Sequence, residues 1–144
     1  MFEHDYLMRM FMQLFKAIAR SMEQNREHRN PELSAMMLED AMHDATNIDG
    51  GVLLSLTPDS MAGMLDVSGT DPRVAEYVGR SLHLEAEYLY QAHKDELASL
   101  REAQAQALAD HYGFSLDEEL GPEAAMEAFL NEQQQRLQGV FEDE

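Results

Sequence analysis

The sequence predicts an all-α fold of five to six helices in a single domain, and three observations lead there. The first is the stretch 2–22, FEHDYLMRMFMQLFKAIARSM, which carries its polar residues in one narrow line. The second is the placement of the four prolines, each of which stands where a helix would begin. The third is a helical pattern over 72–112 with no proline after Pro72 and only Gly79 inside it.

The N-terminal element, within 1–29, is the most apolar. Asp5, Arg9, Gln13, Lys16, Arg20 and Glu23 recur at three- and four-residue steps and form one wet stripe. Leu7, Phe11, Leu14 and Ile18 form one apolar face, Met8, Met12, Phe15 and Ala19 lie beside it, and Met10 and Ala17 close the ring. An ordinary surface helix has an apolar stripe only a little over roughly 100° wide. This one therefore needs cover on several sides, from the chain's own later helices, a second copy or a membrane surface.

The middle of the chain, 30–112, reads as helical hairpins. Asn30-Pro31, Thr57-Pro58 and Asp71-Pro72 each set a capping side chain before a proline at the first helical position, where the missing N–H costs nothing. Gly121-Pro122 is a weaker version. The second helix is expected over 31–47, with Leu33, Met37, Ala41, Ala45 and Ile48 on its buried face and Asp49-Gly50-Gly51 as its stop. The apolar run 52–56 reads as a buried connector or helical turn, since no second strand exists to pair with it. A short third helix spans 58–65 and ends at the turn 66–69. The pattern over 72–112 is too long for one helix of a globular domain, so the polar interval 91–95 is the expected bend and Gly113 the stop. The remainder, 113–144, holds a last helix at about 122–138, with Met126, Phe129, Leu130, Leu137 and Phe141 at core spacing, and a frayed acidic end.

Length and charge narrow the class. A chain of 144 residues fits one domain able to bury roughly 70% of the surface its unfolded form exposes. Its net charge is −18, unevenly placed: residues 1–30 carry five basic against four acidic side chains, and the remainder five against 24. Such an acidic field repels phosphate backbones, which argues against a nucleic-acid partner. There is no cysteine, hence no disulfide and no thiolate metal site. The uncharged run 10–15 is too short for a signal peptide, and Arg9, Lys16 and Arg20 break any membrane-spanning reading. A cytoplasmic location is the expectation.

The opening Phe2-x-x-Asp5-Tyr6-x-Met8-Arg9 resembles the start of a family of small, uncharacterised bacterial proteins carried under a domain-of-unknown-function label. The resemblance implies a hydrophobic N-terminal helix packed across compact hairpins like those of tetratricopeptide repeats, and it brings no known activity. The matching hairpin would be 77–112, with Ala86 and Ala98 where two helices touch. The chain departs from that pattern at the hairpin turn, where Ala92 or His93 replaces the expected glycine, and in its aromatic spacing. No second copy occurs at a 34-residue period, so the domain reads as repeat-like rather than a repeat array.

Few residues suggest chemistry. His43-Asp44 is similar to the metal-binding pair of HD-type phosphohydrolases, but His28 is the only upstream histidine nearby and Ala45-Thr46-Asn47 does not continue that pattern. Asp40-x-x-His43 has the i, i+3 spacing of carboxylate-bridged di-metal bundles, but those need two Glu-x-x-His helices and two more inward glutamates, and His83 with Glu87 reads equally as a helix-surface pair. Phosphate loops and nucleophile elbows are absent. The eleven methionines read as a deformable core between the first three helices or as an adaptable partner-binding groove.

The expectation is therefore a non-enzymatic interaction or scaffold module with no cofactor. It self-associates as a dimer through the first helix, by way of Leu7, Met8, Phe11, Met12, Phe15 and Ile18. A peripheral membrane protein using 2–22 as an interfacial helix is the second reading, and a metal-dependent hydrolase using His43 and Asp44 is the third.

Overall fold

Every described element is a helix, and each starts or stops for a reason visible in its sequence. The computed structural model describes residues 2–117, with Glu127 and Asn131 beyond them. The expected last helix at 122–138 and the acidic end otherwise lie outside the described residues. The helices are α1 (Phe2–His28), α2 (Pro31–Thr46), α3 (Gly50–Ser55), α4 (Pro58–Val67), α5 (Pro72–Gln91) and α6 (Asp95–Tyr112).

The proline signals mark three starts. Side-chain oxygens of Asn30, Thr57 and Asp71 accept hydrogen bonds from the backbone N–H groups of Leu33, Ser60 and Arg73, ahead of Pro31, Pro58 and Pro72. Three helices stop in the same way. The N–H groups of Thr70, Lys94 and Phe114 reach back to the carbonyls of Leu65, Leu89 and Ala109 while Gly69, His93 and Gly113 take the left-handed conformation. The pattern over 72–112 is thus two arms, and the turn glycine's place is taken by His93 at φ 63°.

Two expectations need correction. Gly50 and Gly51 do not end α2; they open α3. Asn47 already closes α2 in the left-handed conformation, and the Asp49 carboxylate then accepts from the Val52 N–H at 3.2 Å, which starts a new helix. The buried face of α2 also differs from the expected one. Its core residues are Ser34, Ala35, Leu38, Met42, Ala45 and Thr46, whereas Leu33 is exposed and Met37 and Ala41 are only half-buried. Ser34 and Thr46 can be buried because each hydroxyl donates to the carbonyl four residues earlier, at Asn30 and Met42.

The helices form a layered bundle in the order α1, α2, α5, α6, α4, with α3 against α2 and α1 also touching α5. Contacts of Phe15 with Tyr77, Ser21 with Tyr88 and Asn25 with Gln91 run in step, so α1 and α5 are parallel. Helices α5 and α6 are antiparallel, as His83 with Glu102 and Arg101 with Glu85 show. Phe11, Leu14, Phe15, Leu38, Met42, Leu53, Met61, Leu65, Leu82 and Leu108 fill the centre. Ala86 and Ala98 are both fully buried between the two arms of the α5–α6 hairpin.

One polar cluster lies inside this core. Glu85 continues the apolar stripe Val78, Leu82, Leu89 of α5 and is fully buried, with its Oε2 2.5 Å from the Arg101 Nε. Arg101 Nη1 donates to the Leu54 carbonyl at 2.9 Å and to Gln104 Oε1 at 3.0 Å. Gln104 Nε2 donates to the carbonyls of Leu54 and Leu56. The end of α3, which lacks partners of its own, is thereby tied to α6. Burial, reinforced by the neighbouring Glu39, pushes the Glu85 carboxyl up to about 8 against the opposing pull of Arg101.

Candidate functional site

The wet stripe of α1 and the displaced apolar face of α2 meet in an open groove. Gln13, Lys16, Ala17 and Arg20 form one wall, and Met37, Asp40, Ala41 and Asp44 form the other, enclosing about 360 Å³. Each set follows the i, i+3, i+4, i+7 spacing of one helix face. The floor is apolar, from Ala17, Met37 and Ala41. The α1 rim is basic and the α2 rim acidic. None of Lys16, Arg20, Asp40 and Asp44 forms an ion pair among the described residues. By helix register, exposed Leu33 extends the α2 wall one turn before Met37, and exposed Tyr6 stands two turns before Gln13.

The six residues expected to form a self-association surface are divided by the structure. Phe11 and Phe15 are 0% and 1% exposed and meet the Tyr77 ring edge-on at 5.7 and 5.0 Å, so the chain's own core takes them. Leu7, Met8 and Ile18 are half-buried against the same core. Met12 alone is exposed, at 39%, one turn before Lys16. The cover that α1 requires thus comes largely from α2 and α5.

The candidate metal residues do not converge. The His43 Nδ1 lies 3.1 Å from the Gly50 N–H and 2.9 Å from the Ile48 carbonyl, an arrangement that ties the α2–α3 turn. Asp44 lines the α1–α2 groove and His43 a different recess between α2, α3 and α6, with Asp40 at the edge of both. His28 is exposed at the end of α1. No group of three His, Asp or Glu residues that could hold a metal ion occurs among the described residues. His83 pairs with Glu102 across the α5–α6 hairpin at 2.8 Å rather than with Glu87.

Two polar clusters have no counterpart in the expectations drawn from sequence. Glu85, Arg101 and Gln104 had a signal, namely charged and amide residues falling on the core spacing of α5 and α6. Asp66 accepts from Tyr112 Oη and pairs with His111 Nε2, both at 2.7 Å, and these bonds clamp α4 to α6. Those two contacts hold the Asp66 carboxyl below the usual range, and burial beside Asp66 pushes the Tyr112 phenol up. The partners are 45 and 46 residues apart, which no local spacing reveals. No helix among the described residues is long and apolar enough to cross a membrane. Comparison with protein-family models, with curated proteins and with solved structures finds no match, so any function must be argued from this groove and its neighbours.

Proposed function

We infer that the chain is a non-enzymatic interaction module, cytoplasmic and of bacterial type, built of tetratricopeptide-repeat-like hairpins and self-associating through the α1–α2 groove. The observation that carries this is the groove's self-complementary charge. A two-fold interface brings the same patch of two copies together in opposite directions, so Lys16 and Arg20 of one meet Asp40 and Asp44 of the other. Met12, Ala17, Leu33, Met37 and Ala41 supply the apolar contact between them. The acidic remainder of the chain keeps other surfaces apart and discourages nucleic acid. An interfacial membrane helix is less well supported, because the apolar face that would enter the lipid is already used against α2 and α5.

Light scattering over a concentration series tests the reading. Twice the chain mass is expected for the parent protein and the monomer mass for Lys16→Glu with Arg20→Glu. The double reversal Asp40→Lys with Asp44→Lys should also be monomeric, and all four changes together should restore the dimer. A parent protein that is monomeric throughout, or a dimer indifferent to both reversals, would overturn the reading.

A further inference from the structure

The tie at the α2–α3 turn joins three groups at one atom. The His43 Nδ1 lies 3.1 Å from the Gly50 nitrogen and 2.9 Å from the Ile48 oxygen, both within hydrogen-bond range. The Gly50 N–H can only donate and the Ile48 carbonyl can only accept. An imidazole nitrogen carries either a lone pair or a proton, so Nδ1 serves one of them at a time. The neutral ring with its proton on Nε2 accepts from Gly50 and leaves the Ile48 carbonyl facing a lone pair. The protonated ring has a hydrogen on each nitrogen, so it donates to Ile48 and sets its own N–H against that of Gly50.

How α3 is held decides what these two states do. Its far end is fixed from α6, where Arg101 and Gln104 donate to the Leu54 carbonyl and Gln104 also to that of Leu56. Its near end rests on exposed bonds, from the Val52 N–H to Asp49 and from the Gly50 N–H to His43, and Gly50 and Gly51 add no side chain to grip α2. Histidine is the side chain whose charge ordinarily changes between pH 5 and 8. We propose that His43 is a proton-operated latch on the α2–α3 turn. The neutral ring holds Gly50 and keeps α3 closed on α2. The protonated ring turns its bond to Ile48, and the first turn of α3 swings away about its anchored far end, widening the recess lined by His43, Gly50, Leu54 and Leu97. The charged groups around the ring are few. Glu39 and Asp40 of α2 and Arg101 of α6 line the same recess, Asp49 stands in the turn, and Asp44 lines the groove on the other side. Helix α3 carries no titratable side chain. Glu85 lies behind Arg101 with its carboxyl pushed up to about 8, so its titration has to be separated from that of His43.

The test follows nitrogen and carbon resonances of the full chain from pH 8 to pH 5. At pH 8 the His43 Nδ1 should resonate as the unprotonated ring nitrogen. As the ring titrates, the Gly50 amide proton should move upfield and the Ile48 carbonyl carbon downfield, both with the midpoint of the ring itself. Amide protection over residues 50–53, corrected for the intrinsic exchange rate, should fall at least about tenfold while that of α6 holds. His43→Asn places near Nδ1 an amide oxygen that accepts at every pH, so it should keep the Gly50 bond and lose the pH dependence. Glu85→Gln should retain that dependence. A proton on Nδ1 at pH 8, a Gly50 resonance that ignores the ring's titration, or the same pH dependence in His43→Asn would overturn the proposal.

Discussion

Glu85 shows how much one residue can control. Its carboxyl titrates near 4.5 in the unfolded chain and near 8 in the fold, because burial and Glu39 disfavour its charge more than Arg101 favours it. The folded state therefore binds more protons than the unfolded state between those values. Stability from this group is full below pH 4.5 and is lost as pH rises towards 8, by an amount of the order of a few kcal/mol. Thermal melts from pH 4.5 to 8.5 should show that decline, and Glu85→Gln, which keeps the shape without the charge, should flatten it. A melting temperature that rises across this window in the parent protein would show that Arg101 wins instead. Gly79 is a second decisive position. A Cβ there would come within 2.6 Å of the Phe114 ring, which also lies under the Arg80 guanidinium. Gly79→Ala should destabilise by about 1–3 kcal/mol in chemical denaturation, whereas Gly63→Ala, with no atom within 4 Å of its added methyl, should not.

At the scale of elements, helix starts were legible and helix faces less so. Asn30, Thr57 and Asp71 cap as their sequence suggests, because capping is a contact within three residues and needs no tertiary context. The polar interval at 91–95 likewise marked the hairpin turn. Gly50 and Gly51 were misleading because glycine serves a helix end or a loop equally well, and only Asn47 and Asp49 together show that one helix ends before the next begins. The buried face of α2 differs from its apolar periodicity because Ser34 and Thr46 are polar by residue type yet satisfy their hydroxyls within the helix. That same displacement leaves Met37 and Ala41 to line the groove and Leu33 exposed one turn before them, so the residues hardest to place belong to the candidate site. The turn offers a direct check. His93 holds φ 63°, where a side chain costs about 1–2 kcal/mol. His93→Gly should raise stability by about 0.5–1 kcal/mol after allowing for the added freedom of the unfolded chain.

For the whole molecule, the question is whether α1 is greasy for its own chain or for another. The sequence demanded cover on several sides of 2–22 and left open who provides it. The structure divides the helix, with Phe11, Leu14 and Phe15 inward and Arg9, Lys16 and Arg20 outward. Two substitutions one residue apart should then behave as opposites. Phe15→Ala removes a ring that is 1% exposed and packed on Phe11 and Tyr77, so it should cost about 3–5 kcal/mol. Lys16→Glu changes only an exposed charge, so it should leave unfolding within about 0.5 kcal/mol of the parent and act on assembly alone. Denaturation followed by circular dichroism, paired with mass by light scattering, reads both. If Phe15→Ala lowered the assembly state and left the monomer's stability intact, α1 would be an interface helix after all. A dimer held through its apolar face would then replace the charge-matched groove as the seam.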